Sequence, residues 1–206
     1  MDITVAGFKG GTGKTTTAIH LAAYFSDRFG SDTTFLADGD PNKSASGWAR
    51  RGELPFPVVD IMAAARVSRK YDHMIVDSQA SPSKDDLEAV ASGCDLLILP
   101  TSTSALDMDA LLQCVEMLQA LGTEKFKILL TMVDSRATAT TENAIAALTG
   151  AGLPLFKRTI RELACFEKAA LAGVPVHGVK GDKMSGPAWR EYQELGQEIV
   201  EAVEHG

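Results

Sequence analysis

Cysteine is scarce in this chain of 206 residues: Cys94, Cys114 and Cys165 are odd in number and share no metal-ligand spacing. A disulfide framework and a cysteine metal site are thereby excluded as organising chemistry, and buried free thiols in a reducing compartment are expected. Long apolar runs are absent as well. No stretch reaches the ~18 consecutive apolar residues of a membrane-spanning helix. The opening Met1-Asp2-Ile3-Thr4-Val5 lacks the basic and apolar parts of a secretion signal, which points to the cytoplasm. Net positive charge is missing too: the balance of −7 argues against a surface coated all over by nucleic acid. There is no internal repeat, low-complexity tract or linker, so one domain covering residues 1–206 is expected.

What is present is an ordinary globular composition, 45% hydrophobic and 23% charged. Apolar runs of strand length alternate with segments of helical period. Strands are expected at 3–8, 34–37, 74–76, 96–99 and 128–132, with weaker ones near 58–59 and 155–156. Helices are expected at 15–29, 84–91, 107–121, 141–148, 162–172 and about 187–204. Several strands are apolar throughout, as strands covered on both faces are. The alternation predicts an α/β fold: a mainly parallel, twisted sheet with helices on both faces. Charge is unevenly spread along it. Lys157, Arg158, Arg161, Lys168, Lys180, Lys183 and Arg190 outweigh Glu162, Glu167 and Asp182, a local basic segment in an acidic protein.

Phe8-Lys9-Gly10-Gly11-Thr12-Gly13-Lys14-Thr15-Thr16 follows the first strand and opens the first helix. Glycines there let backbone N–H groups curl toward phosphate oxygens, and the helix N-terminus adds its positive end. Lys14 suits the β and γ phosphates, and the Thr15 hydroxyl suits Mg²⁺. Gly10, Gly11, Thr12, Gly13, Lys14, Thr15 and Thr16 are the nucleotide-binding candidates. The first glycine of G-x-x-x-x-G-K-[ST] is lacking, because Phe8 stands in its place. Further on, Asp38 and Asp40 lie two residues apart at the end of the second strand, so both carboxylates face the ligand-side edge of a sheet. His73-Met74-Ile75-Val76-Asp77 is an apolar strand closed by a third carboxylate, with Ser78–Ser81 behind it where a terminal phosphate could be sensed. Ser104 is placed to cap a helix, and Asp107 to support that cap or to meet a partner.

K-G-G-x-G-K-T-T at residues 9–16 resembles the deviant P-loop of the ParA/MinD ATPases. Residues 36–42 resemble that family's D-x-D-P-Q segment, with Asn42 for glutamine, and residues 100–107 its P-x-x-x-S-x-x-D loop. Ile160–Val176 resembles the I-R-x-x-x-x-[FY]-x-x-A-x-x-x-G-x-x-[VI] stretch of small ParA proteins. The likeness runs from residue 3 to about 195. It implies ATP and Mg²⁺ as ligands and a homodimer in which Lys9 reaches the partner's nucleotide, as an arginine finger does. By the same resemblance Asp38 would hold the magnesium's water shell, Asp77 would sit beside the ion, and Asp40 would orient the attacking water. Either of Asp38 and Asp40 could take either role. The catalytic candidates are therefore Lys9, Lys14 and Asp40, and the metal-site candidates Thr15, Asp38 and Asp77. Met132 falls where related proteins read the base. It replaces the lysine of the guanine signature N-K-x-D, which favours adenine.

Small ParA proteins are nucleoid-associated dimerisation switches, so the resemblance implies non-specific DNA as a partner. It also implies a cargo-linked activator of hydrolysis, and a plasmid, chromosome region or carboxysome-like body as cargo. Lys157, Arg161, Lys180, Lys183 and Arg190 are the candidate DNA contacts. The small branch, which lacks the helix-turn-helix domain of larger ParA repressors, is the one expected. A MinD-like membrane switch would need a basic amphipathic C-terminal helix. Glu191, Glu194, Glu198, Glu201 and Glu204 instead make that face acidic, and no membrane association is expected. A P-loop ligase resembling dethiobiotin synthetase is the other alternative, and it would act on a metabolite without a protein activator.

Overall fold

A computed structural model describes residues 1–80 and 84–204. Six strands form one sheet: β1 (Asp2–Gly7), β2 (Thr34–Asp38), β3 (Val58–Asp60), β4 (His73–Ala80), β5 (Leu96–Thr101) and β6 (Phe126–Leu130). Their order is β3-β2-β4-β1-β5-β6, and every pairing is parallel. Chain order reverses at β1, which lies between β4 and β5. That switch point opens a crevice beyond the carboxyl ends of the strands, where parallel sheets bind ligands.

The helices are α1 (Lys14–Phe29), α2 (Ser44–Ala49), α3 (Ile61–Val67), α4 (Lys84–Gly93), α5 (Ala105–Ala120), α6 (Thr138–Gly150), α7 (Ala164–Ala172) and α8 (Ser185–Glu204). Period-2 alternation along each strand sorts the core onto two faces. Leu36, Ile75, Ile98 and Leu129 pack with α1 and α8 on one side. Leu97, Leu99, Ile128 and Leu130 pack with α4, α5 and α6 on the other. Helix α1 is buried nearly all round, and Ala18, Ala22 and Ala23, all 0% exposed, let it lie close to the sheet. All three cysteines are free and buried.

The expected strands and helices are found with ends shifted by a few residues, and four differences have physical causes. Leu155 makes only an isolated bridge to Ile128, so the weak strand at 155–156 does not form. Strand β6 stops at Leu130, because Met132 adopts φ 54°, a left-handed conformation that breaks the ladder. Helices α2 and α3 were not anticipated. Both are too short for a periodic signal, and α3 is capped by Asp60, whose carboxylate accepts from Met62 N–H at 2.9 Å. The acidic face of α8 is not free in solvent either. Glu191, 8% exposed, pairs with Arg161, Glu194 pairs with Arg158, and Glu198 receives Lys127 Nζ at 2.7 Å and Lys157 N–H at 3.0 Å. Among the described residues no helix is long and apolar enough to cross a membrane. Ser81, at the end of the predicted switch segment, lies outside the described residues.

Candidate functional site

The loop after β1 turns through Gly11 (φ 84°) and Gly13 (φ 82°), conformations that side-chain-bearing residues avoid. Helix α1 then begins at Lys14 with no side-chain cap on its first turn, which leaves backbone N–H groups directed at the crevice. Lys14 Nζ donates to Lys9 O at 2.8 Å, and the Thr131 hydroxyl donates to Thr12 O at 2.9 Å, stapling the loop to the end of β6. Gly10, Gly11, Gly13, Lys14, Thr15 and Thr16 line a cavity of about 640 Å³. Thr12 is buried behind the loop and outside the cavity wall. Burial draws the Lys14 ammonium below the usual lysine range, while Asp77 and Asp40 pull it back up.

Asp38, the last residue of β2, and Asp77, three residues before the end of β4, stand side by side in register, both 0% exposed. Asp38 is fully satisfied: Oδ1 accepts from Asp40 N–H at 3.2 Å, and Oδ2 accepts from Ser46 N–H at 2.9 Å and the Ser46 hydroxyl at 2.5 Å. Among the described residues neither oxygen of Asp77 has a donor at ordinary hydrogen-bond geometry, the Thr15 hydroxyl being the nearby one. Burial pushes its carboxyl up to about 7, with the nearby Thr15 hydroxyl and Lys14 offsetting only part of the effect. A buried, bare carboxylate between Thr15 and Asp38 suits a divalent cation, and these residues fit Mg²⁺. Among the described residues no group of three or more His, Cys, Asp or Glu could cage a metal alone, so the ion would share its coordination with phosphate and water. Asp40 lies on the cavity wall, with Oδ2 accepting from Ser44 Oγ at 2.8 Å and Oδ1 from Asn42 N–H at 3.1 Å.

Lys9 does not enter this cavity. Its half-exposed ammonium pairs with Asp107 at the start of α5, and Asp107 also accepts from Ser102 Oγ. Ser104 caps α5 by accepting from Asp107 N–H at 3.3 Å, so Asp107 serves cap and lysine together. Burial would raise the Asp107 carboxyl, but hydrogen bonds from Lys9, Ser102 and Ser104 hold it below the usual range.

The opposite wall comes from Met132, Ile160, Arg161, Glu162, Leu163 and Phe166, closed at the back by Tyr192. Apart from Met132, none of these was anticipated as part of the pocket. The Ile160–Val176 stretch carried a family pattern and a charge excess, but no chemistry by itself. Beneath it His20 is fully buried and stacked on Tyr192 at 4.7 Å. His20 Nδ1 donates to Thr16 O at 2.6 Å and Nε2 accepts from Val176 N–H at 3.0 Å. Burial lowers its pKa to about 4, which keeps it neutral. Asp134, the residue a guanine edge would need, receives the exposed Arg136 on both oxygens at 3.1 Å. Of the candidate DNA contacts, Arg161 is committed to Glu191 and lines the cavity. Lys157, Lys180, Lys183 and Arg190 are exposed, and their side chains carry no ion pair among the described residues.

Known proteins share this sequence pattern and this fold. Residues 3–176 match the family model described as the CobQ/CobB/MinD/ParA nucleotide binding domain. The chain is 32% identical over 204 residues, 96% of its own length and 93% of the relative's, to maintenance of carboxysome distribution protein A from Gloeobacter kilaueensis. It superposes on an ATP complex of a McdA variant from Cyanothece with a TM-score of 0.71 at 16% identity, covering 98% of this chain and 96% of that one. The septum site-determining protein MinD from Pyrococcus horikoshii, complexed with Mg-ADP, superposes with a TM-score of 0.65 at 17% identity over 98% of each chain. With its glycine loop, its lysines and its aspartate-tipped parallel strands, the chain belongs to the CobQ/CobB/MinD/ParA family and is an ATPase of the ParA/MinD kind.

Proposed function

We propose that residues 1–206 act as one domain that dimerises around ATP, binds non-specific DNA as a dimer, and positions a cargo. A cargo-linked protein would end each cycle by stimulating hydrolysis. The observation that carries this reading is the division of the two P-loop lysines. Lys14 is the cavity's uncommitted cation, because Arg161 is bound to Glu191. Lys9 is presented on the outside of the same loop, at the ligand edge of the sheet. A triphosphate in the cavity meets Lys14 from its own chain, and Lys9, on release from Asp107, would meet a second copy's phosphates. Opposite charge brought to a transferring phosphoryl group lowers its barrier.

Thr15, with Asp77 and Asp38 behind it, would hold Mg²⁺, whose charge offsets that building on the phosphates. Asp40 would orient the attacking water from the cavity wall, and Met132 with the Ile160–Leu163 segment would receive adenine. The 32% identity to a carboxysome distribution protein favours a large protein body as cargo. The exposed Lys157, Lys180, Lys183 and Arg190, doubled in a dimer, would supply phosphate contacts. Helix α8 has no basic face to seat it on anionic lipid, so the reading is of a cytoplasmic protein held on the nucleoid by those exposed cations.

The test is a gel shift on random-sequence DNA with ATP or ADP, run beside liposome sedimentation and analytical ultracentrifugation. Retention only with ATP, weakening steeply with salt, supports the switch. Equal retention with ADP removes it. Lys9→Ala should still bind ATP yet stay monomeric or fail to hydrolyse. Unchanged turnover in that variant would defeat the cross-subunit role.

A further inference from the structure

Helix α2 has six residues, with Gly47 among them, too few to hold a helix by their own propensity. Its place is therefore set by what it and the turn that follows it, through Gly52, touch, and they bridge from Asp40 on one wall of the cavity to α7 and its end on the other. On one side Ser44 Oγ donates to Asp40 Oδ2 at 2.8 Å, and Ser46 donates through its N–H and its hydroxyl to Asp38 Oδ2. On the other side Trp48, 4% exposed, donates through Nε1 to Val174 O at 3.1 Å, and Arg51 Nε donates to Ala170 O at 2.5 Å. Immediately beyond, two backbones meet. Gly173 ends α7 in the left-handed region at φ 69°, and a Cβ there would fall 2.7 Å from Gly52 Cα. A Cβ on Gly52 would fall 2.8 Å from Gly173 O. Only glycine fits on either side of this seam. The glycine of the A-x-x-x-G pattern thus has a physical reason that its own helix does not supply.

We propose that α2 is a strut that sets Asp40 relative to the base-side wall, with Trp48, Arg51 and the Gly52–Gly173 seam as positioning residues for hydrolysis. Phe166 and Ala170 of α7 line the same cavity as Asp40. A base seated against α7 therefore reaches the phosphate end through α7, Trp48, Ser44 and Asp40, a contiguous chain of packed and hydrogen-bonded groups. Lost registry at a water-orienting carboxylate lowers the chemical step while leaving ground-state binding intact. The inference rests on the reading of Asp40 as the group that orients water.

The experiment is a double-mutant cycle on ATP hydrolysis. Gly173→Ala is the direct break but threatens folding, so Trp48→Phe, which keeps a ring and removes the Nε1–H donor, carries the test. Trp48→Phe and Ser44→Ala should each lower kcat roughly tenfold with KM for ATP little changed, and the double variant should fall no further than either single one. Arg51→Ala should follow the same kcat-only pattern, and Arg51→Lys should recover part of it. A kcat for Trp48→Phe equal to that of the unmodified protein overturns the strut. So does a fully multiplicative loss in the double variant, which would mean that Trp48 acts apart from the Ser44–Asp40 contact. Asp40→Ala is measured alongside. If it hydrolyses ATP at the normal rate, the reading of Asp40 fails and the strut's role in hydrolysis falls with it, whereas a slow Asp40→Ala beside a normal Trp48→Phe overturns the strut alone.

Discussion

Two neighbouring positions on β2 and β4 invite comparison, since Asp38 and Asp77 are register partners, equally inaccessible to water, and chemically unlike. Asp38 is saturated by donors from its own loop and α2, and works as an anchor for that helix. Asp77 has none and carries a carboxyl raised to about 7 by burial. A buried polar group left without a partner costs about 1–3 kcal/mol. The difference teaches that two carboxylates read identically from a sequence can be divided by their surroundings into a structural member and a vacant ligand.

The comparison can be broken most strongly at the ligand side. Lys14→Ala should abolish nucleotide binding, measured by calorimetry with ATP-Mg²⁺, because among the described residues the cavity's other cation, Arg161, is held by Glu191. Asp77→Asn should cost on the order of 10²-fold or more in Mg²⁺-dependent hydrolysis, as expected when a charge-stabilising group is lost. The same variant, free of nucleotide, should melt at or above the temperature of the unmodified protein. A large fall in melting temperature would show that Asp77 is structural after all.

Asp38→Ala should do the reverse to stability. Stripping Ser46 and the Asp40 N–H of their acceptor should destabilise the nucleotide-free protein by about 1–3 kcal/mol, read from urea midpoints. Nearly equal stability in the two variants would erase the distinction between the carboxylates.

The smallest effect is in pH. Asp77 has its folded pKa raised from 3.8 to about 7, so its contribution is fully present below 3.8 and is lost as pH rises through about 7. With EDTA and no nucleotide, stability should fall across that window, and the Asp77→Asn variant should lose this part of the slope. An identical slope in both proteins would assign it elsewhere.

The phosphate end of the site was legible because its chemistry is local. Phosphate binding by a strand–loop–helix needs glycines, a lysine and a threonine within nine consecutive residues, and Lys9–Thr16 follow β1 directly. The alternation of strands and helices was legible for the same reason, since period 2 and period 3.6 are written in short windows. Helices α2 and α3 were not, being shorter than the window that would reveal them. The base-side wall was visible only as a pattern and a charge excess. Arg161, read as a surface cation, is drawn inward by Glu191, and that pairing spans 30 positions of chain. Glu191 in turn was read as part of a solvated acidic face, because a helix's own periodicity does not say which of its charges meet partners.

What the sequence by itself determined is therefore the set of groups that local geometry suffices to place: the glycine loop, Lys14, Thr15 and the carboxylates at the ends of strands. Their spacing along the chain is already their arrangement in space. Only the tertiary structure decided which carboxylate is satisfied and which is bare, that Lys9 leans to Asp107 while Lys14 turns inward, and that Gly52 and Gly173 meet. Lys9 with Asp107 and Gly52 with Gly173 are partners far apart in the chain, and the nearer donors of Asp38 are in place only because α2 is held there. Burial and hydrogen bonding, which set charge state and position, exist only once the sheet has brought such partners together.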